Sequence, residues 1–331
     1  MRALVIGAGA VGTKVSQQLL SSNVVDKIIL RDTSPEKLGI ASKTLGRHVE
    51  VEHFPFSQNM DADVVVVASP RGTQLEVVKK AISLRRPTVV VSDDLAETVS
   101  ILNLEKEAFE FGVPVAVGTG FAPGLSCVLT AYGKTFLEEI EEIHISKMGT
   151  GGPACAMVHH RALSRVSYEW REDKWNKRIG GSGRELLWFP EPVGPQDCYH
   201  AALSDPILLR NAFPEVTRIS AKMAATRKDR FTAFFPMLVP PHNEGGVGAI
   251  RVELRGTKNG IQENIILGVS ERPALAAASV TALTAEYLLK QKINFNHMST
   301  LALMVEPSEF LSELAKRSIV MEIFEGDKTT A

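Results

Sequence analysis

Over the first third of the chain, short unbroken apolar runs alternate with stretches in which apolar residues recur every three or four positions. That pattern predicts buried parallel strands joined by helical crossovers. Residues 3–6 form the first run, and Val11, Val15 and Leu19 follow at i, i+4 and i+8, so a helix begins at once. Residues 27–30 predict a second strand, and Thr33-Ser34-Pro35-Glu36 opens the next helix with a cap, a proline near its first position and an acidic first turn. Residues 49–54, 64–68, 88–91 and 113–117 predict four more strands. Leu75, Val78 and Ile82 mark the helix after the fourth strand; Ile101, Leu104, Ala108 and Phe111 place one continuous helix after the fifth.

The pattern changes after Gly118-Thr119-Gly120-Phe121-Ala122-Pro123-Gly124-Leu125-Ser126. Ile143 and Ile145 predict a strand, the glycines of residues 149–152 break it, and Pro153 opens a helix expected to run to about Trp170, with Leu163, Val166 and Trp170 facing the core. Residues 177–198, rich in Gly and Pro, are expected to form an irregular lobe or lid, with Trp188 and Tyr199 in a local core beside it. Pro240-Pro241-His242-Asn243 is expected to be a turn. Ile250, Val252 and Leu254 alternate with Arg251, Glu253 and Arg255, which predicts a half-buried strand. Lys258-Asn259-Gly260 then turns it into a hairpin with residues 264–269, and Pro273 starts a long helix carrying Leu283 and Tyr287 on one stripe. The fold class is therefore α/β, a doubly wound parallel Rossmann sheet with a second α+β domain. The expected domains are 1–124 and 125–331, with a return of the C-terminal segment onto the first domain left open.

Composition narrows the function. The chain has 331 residues, 37 Lys plus Arg against 38 Asp plus Glu, and a formal net charge of -1, which offers no footprint for nucleic acid or an anionic membrane. A small-molecule substrate is the expectation. The three cysteines, Cys127, Cys155 and Cys198, form no CxxC pair and read as buried small hydrophobes in a reducing compartment. No apolar run reaches the roughly 18 residues of a bilayer span, and no signal-peptide apolar segment follows Arg2, so a cytoplasmic protein is expected.

The glycine run Gly7-Ala8-Gly9-Ala10-Val11-Gly12 stands between a strand and an amphipathic helix, the context that gives GxGxxG its meaning. Gly7 permits the tight turn, Gly9 admits a pyrophosphate to the backbone, and Gly12 lets helix and sheet pack closely; the N–H groups of Ala10 and Val11 belong to the same anion-binding helix start. Asp32 closes the second strand about 20 residues after the last glycine, where a carboxylate accepts from ribose hydroxyls and favours NAD. Arg31 beside it leaves NADP open, and Thr33 follows in the same turn. Ala68, Ser69 and Pro70 end the fourth strand at the carboxyl edge where ligands bind, and Asp93-Asp94 ends the fifth, either as part of that crevice or as a helix cap.

With Gly120 to Ser126 the chain resembles the saccharopine dehydrogenase-like oxidoreductases. The resemblance rests on the glycine run, Asp32, the Gly120-Phe121-Ala122-Pro123-Gly124-Leu125-Ser126 turn and the Val252-Glu253-Leu254-Arg255-Gly256-Thr257-Lys258-Asn259-Gly260 hairpin before an Ala-rich helix. It covers the first domain well, residues from about Ile250 to Leu289 loosely, and residues from Gly149 to Gly245 poorly. It implies an NAD(P)-dependent oxidoreductase acting on an amino acid or an amino-acid-derived imine or secondary amine, with Gly120 at the cofactor and a second domain that holds the substrate and a homodimer contact. Two other readings compete. One is an oxidoreductase of Gfo/Idh or homoserine dehydrogenase type, whose Glu-Lys-Pro segment the chain lacks; the other is a non-catalytic NAD(H) sensor.

Hydride transfer needs positioning and a proton carrier more than a protein nucleophile. If Pro153 opens a helix, the glycines before it expose N–H groups to a carboxylate. His160 is the first choice for acid/base work, because an unperturbed imidazole titrates near working pH, and Arg161 for the carboxylate, because its planar fork binds two oxygens. Lys147 is a proton donor if desolvated and otherwise a snorkelling surface lysine. His159 points about 100 degrees away from His160 around the helix, and no HxxxH, HExxH or CxxC spacing marks a metal site.

Overall fold

The computed structural model describes residues 1–53, 59–237, 245–294 and 297–324. Phe54 and Pro240 to Asn243 lie outside the described residues. The chain divides into two compact units, Met1–Gly124 with Ala274–Glu306, and Leu125–Pro273 with the stretch from Pro307 onward.

In the first unit the strands are β1 (Arg2–Ile6), β2 (Lys27–Asp32), β3 (Val49–His53), β4 (Val64–Val67), β5 (Thr88–Val90) and β6 (Val115–Val117). Between them lie α1 (Ala10–Leu20), α2 (Pro35–Leu45), a 3-10 turn at Gly46–His48, α3 (Gln74–Ser83), α4 (Leu95–Leu102) and α5 (Glu105–Phe111). The single helix expected across Ile101 to Phe111 is two. Asn103 ends the first turn sequence by donating to Val99 and Ile101, and Glu105 and Glu107 start a new helix with the acidic first turn a helix dipole favours.

The second unit begins with α6 (Leu125–Lys134), β7 (Glu139–Met148), α7 (Pro153–Ala162), β8 (Ser167–Arg171), β9 (Lys174–Arg178), β10 (Glu185–Trp188) and β11 (Pro195–His200). It continues through α8 (Asp205–Ala212), β12 (Arg218–Ala224), α9 (Arg227–Thr232), β13 (Gly248–Lys258) and β14 (Ile261–Glu271). Then α10 (Pro273–Leu289), β15 (Met298–Thr300) and α11 (Leu301–Met304) carry the chain through the first unit again, before α12 (Pro307–Ala315) and β16 (Glu322–Phe324). The helix expected to reach Trp170 stops at Ala162, and Trp170 lies in β8. Its hairpin partner β9 follows a turn at Glu172 and Asp173, both at positive φ without a glycine to mark them. Leu163 and Trp170 are buried as expected, but Val166 is exposed. The expected irregular lobe at residues 177–198 contains β10 and β11, paired antiparallel, with Phe189 buried against Cys198 and Ala249. Tyr199 is buried, whereas Trp188 is 61% exposed and joins no core.

The first sheet runs β15-β6-β5-β4-β1-β2-β3 with every pair parallel. From β1 the chain steps outward through β2 and β3 and then crosses back to β4, so the switch point lies between the carboxyl ends of β1 and β4. The four valines of β4 are all buried, as a strand covered on both faces requires. Helix α10 is buried along most of its length, and Thr281 on it donates to the Thr119 carbonyl beyond β6 at 2.8 Å.

The second sheet runs β10-β11-β12-β7-β13-β14-β16, with β8 and β9 extending from β12. Strand β7 is central, parallel to β12 and antiparallel to β13. Ile143, Ile145, Ile219, Ala221, Val252 and Leu254 share one face, and a Cβ on Gly133 of α6 would lie 2.3 Å from Leu254, which places that helix on the apolar face. The opposite face is charged. Glu169 accepts from Arg178 and Arg218, Glu253 from Arg251 and Arg255, and His144 sits between Glu142 and Ser220. The β13–β14 hairpin turns at Asn259-Gly260, both at positive φ, as its sequence predicts. Among the described residues no helix is long and apolar enough to cross a membrane.

Candidate active site

At the switch point of the first unit, Gly7 has φ +109°, and a Cβ there would lie 2.4 Å from the carbonyl oxygen of Ala68. Only glycine lets the ends of β1 and β4 approach so closely. A Cβ on Gly12 would lie 1.8 Å from the Gly7 carbonyl oxygen, so α1 begins directly against its own strand. Gly9 differs: a Cβ there meets nothing within 4 Å. The protein's own packing therefore places no demand for glycine at this position, and the space over the loop is open. Gly9 is also the N-cap of α1 and supplies no side-chain cap, so no cap side chain satisfies the first N–H groups of the helix, at Ala10, Val11 and Gly12.

Asp32 is buried at the end of β2. Its Oδ2 accepts from the Ala8 N–H at 2.7 Å and its Oδ1 from the Ser34 N–H at 2.8 Å, which ties the glycine loop to the turn before α2. Each oxygen keeps a second lone pair for a ribose hydroxyl. Arg31 goes the other way. Successive strand residues point to opposite faces, and its guanidinium is buried on Glu52 of β3 at 2.6 Å and the Asn59 carbonyl at 2.8 Å. Arg31, which the sequence left open as a contact for a 2′-phosphate, is here bound to Glu52 and the Asn59 carbonyl. Thr33 is exposed, and its carbonyl lies 3.1 Å from the His53 ring.

Ala68, Ser69 and Pro70 follow β4 along the same edge. Thr73 donates to the Ser69 hydroxyl at 2.9 Å, and Gln74 Nε2 joins the Ser69 carbonyl to that of Val91. Glu97 on α4 accepts from the Gly72 and Gln74 N–H groups and so closes the start of α3. Gln74 and Glu97 hold the strand ends in place, and the sequence reading missed both, because nothing local links residues 23 positions apart. Asp94 caps α4 by accepting from Glu97 N–H and pairs with Arg71 at 2.7 Å, the capping role; Asp93 is half-buried beside it. Gly120 closes a bridge to Gly124, where φ is +129° and a Cβ would lie 2.2 Å from the Gly120 oxygen.

In the second unit the chemistry gathers on the apolar side of the sheet. Lys147 shares its face of β7 with Ile143 and Ile145 and is buried, not snorkelling. Its Nζ lies 2.9 Å from Nε2 of His159 on α7, also buried. Cys155, one helical turn before His159, places Sγ 3.6 Å from the same nitrogen. Asp205, the first residue of α8, is fully buried and accepts from the Ser126 hydroxyl of α6 at 2.6 Å. Burial pushes the Asp205 carboxyl above the usual carboxylate range, and Lys147, Ser126 and His159 pull against that shift.

The residues expected from sequence are therefore divided. His160 is half-buried with Nε2 3.0 Å from the Thr232 hydroxyl of α9, Arg161 is exposed, and only Lys147 joins the cluster. Sequence reasoning missed His159 and Asp205. A signal existed for the cluster: a lysine at i+4 from Ile143 on an alternating strand, and Cys155 and His159 at i, i+4 on a helix. Gly152, at φ +113°, is the N-cap of α7 and brings no side chain to the helix start. Of the cysteines, burial pushes the Cys198 thiol up to about 12, so it behaves as a small hydrophobe.

Residues 3–93 match the family described as NADP oxidoreductase coenzyme F420-dependent. The whole chain is similar in fold to saccharopine dehydrogenase (L-Glu forming) from Saccharomyces cerevisiae. Its TM-score is 0.72 at 12% sequence identity, over 98% of this chain and 100% of that one. A meso-dapdh variant with DAP from Clostridium tetani E88 is similar at TM-score 0.50 and 14% identity, over 95% of this chain and 98% of that one. The chain thus has an NAD(P)-dependent oxidoreductase fold, a Rossmann sheet joined to a second mixed-sheet unit, and it is saccharopine dehydrogenase-like in that architecture.

Proposed function

We propose that the protein is an NAD(H)-preferring oxidoreductase that moves a hydride between nicotinamide and a nitrogen-bearing carbon of an amino acid or amino-acid-derived imine or secondary amine. The observation that carries this reading is the glycine loop, open to an anion at Gly9 and tied to the Asp32 carboxylate, while Arg31 is committed to Glu52. When bound, the nicotinamide supplies or accepts the hydride. The polypeptide contributes the rest: the loop N–H groups hold the pyrophosphate, Asp32 orients the adenosine ribose, and Ser69 and Gly120 keep the strand ends small. The substrate class is taken from the family resemblance and from the fold shared with an L-Glu forming saccharopine dehydrogenase. Proton transfer is assigned to Lys147 in preference to His160, which is held by Thr232, and carboxylate capture to the exposed Arg161. A cytoplasmic homodimer goes with this reading, and light scattering on the eluted protein checks the oligomer.

The test is a fluorescence titration with NADH and, separately, NADPH, followed by a screen of amino acids and of oxo-acid and amine pairs. NADH binds more tightly if Asp32 reads the ribose. Tighter NADPH binding overturns the cofactor preference, and binding of neither overturns the oxidoreductase reading.

A further inference from the structure

Three ionisable side chains are buried together in the second unit. Lys147 is 2%, His159 5% and Asp205 0% exposed. Apolar residues of similar volume would serve a purely structural purpose at lower cost, because a buried charge keeps its stability only when paired and hydrogen-bonded. Buried ionisable groups held together in this way are a mark of chemistry.

The geometry specifies which chemistry. Two nitrogen atoms 2.9 Å apart hydrogen-bond only when one carries a proton and the other a lone pair, so a single proton lies between Lys147 Nζ and His159 Nε2. Asp205 is coupled electrostatically to both: burial pushes its carboxyl above the usual range, and Lys147 and His159 pull it back. Its Oδ1 accepts from Ser126, and its Oδ2 is buried without a hydrogen-bond partner among the described residues. Ser126 and Asp205 stand in the first turns of α6 and α8, so helix backbone rather than loop fixes the carboxylate. Cys155 is half-buried beside His159, its Sγ 3.6 Å from Nε2.

Resting on the oxidoreductase reading, we infer that Lys147 and His159 form one proton-transfer unit for the substrate nitrogen, with Asp205 and Ser126 as positioning residues. In the reductive direction an imine carbon takes the hydride supplied by the reduced nicotinamide, and the C=N π pair settles on nitrogen. That nitrogen takes the shared proton, and one proton from water refills the unit. The oxidative direction runs these steps in reverse.

The first readout needs neither cofactor nor turnover. In the full chain labelled with 15N-histidine, Lys147→Met and Asp205→Asn each move the His159 Nε2 resonance by more than its linewidth; a resonance unmoved in both overturns the unit. With a substrate from the screen, Lys147→Met lowers kcat by roughly 10²- to 10⁴-fold, and Asp205→Asn lowers it at least tenfold, while the NADH Kd and KM stay within about twofold. Added methylamine restores part of the kcat lost in Lys147→Ala. If Lys147→Met does not fold, His159→Gln takes its place with the same expected loss. Wild-type kcat in these variants overturns this inference and leaves the oxidoreductase reading standing. Failure of the wild-type protein to bind NADH or NADPH brings down the oxidoreductase reading itself.

Discussion

Replacing Gly12 with alanine sets a methyl carbon 1.8 Å from the Gly7 carbonyl oxygen, against an ordinary contact distance of at least 3.4 Å. The start of α1 and the end of β1 must then part by about 1.6 Å, with backbone on both sides and no flexible side chain to yield. Overpacking of this kind costs about 1–3 kcal/mol, which lowers the melting transition by roughly 2–10 °C. Gly9→Ala is the matched control. Its methyl meets nothing within 4 Å in the protein and leaves the melting transition unchanged, yet it occupies the space expected for a pyrophosphate. It therefore weakens NADH binding by about 10- to 100-fold, or roughly 1.4–2.8 kcal/mol. Differential scanning fluorimetry and NADH titration on the two variants separate the effects: Gly12→Ala loses stability and binding, Gly9→Ala binding alone. Wild-type NADH affinity in Gly9→Ala would refute the placement of the phosphate, and a wild-type melting transition in Gly12→Ala would refute the close approach.

Asp32→Asn removes the charge that favours ribose hydroxyls, and NADH binding weakens about tenfold while NADPH binding changes less; titrations with both report the ratio. Gly39→Ala, in the exposed middle of α2 with open space around it, raises stability by about 0.5–1 kcal/mol in urea unfolding. Glu169→Gln leaves Arg178 and Arg218 without their shared carboxylate and costs about 1–3 kcal/mol by the same measurement. The Glu169 carboxyl is opposed by burial but held below its ordinary 4.5 by hydrogen bonds from Arg178 and Arg218. Its contribution is thus complete above pH 4.5 and lost as pH falls through the lowered folded-state value, so the wild type loses more stability across that interval than Glu169→Gln does.

The sequence by itself determined the parallel sheet, the glycine loop, Asp32 and the Asn259-Gly260 hairpin, because each is a local signal: period, turn chemistry, or a fixed spacing along one βαβ unit. Local signals also misled. Leu163, Val166 and Trp170 fall at helical spacing although Trp170 lies in β8, the turn at Glu172 and Asp173 takes positive φ without a glycine to mark it, and the Gly and Pro content of residues 177–198 masks their strands. Tertiary structure alone decided that Arg31 turns to Glu52 and that Gln74 and Glu97 brace the strand ends. It alone brought Lys147, His159, Asp205 and Ser126 together from β7, α7, α8 and α6. Partners such as these are set by strand register and helix placement across tens of residues, which hydrophobic periodicity does not encode. The lysine on its alternating strand and the Cys155 and His159 spacing were visible in the pattern; that they meet Asp205 was visible only in the fold.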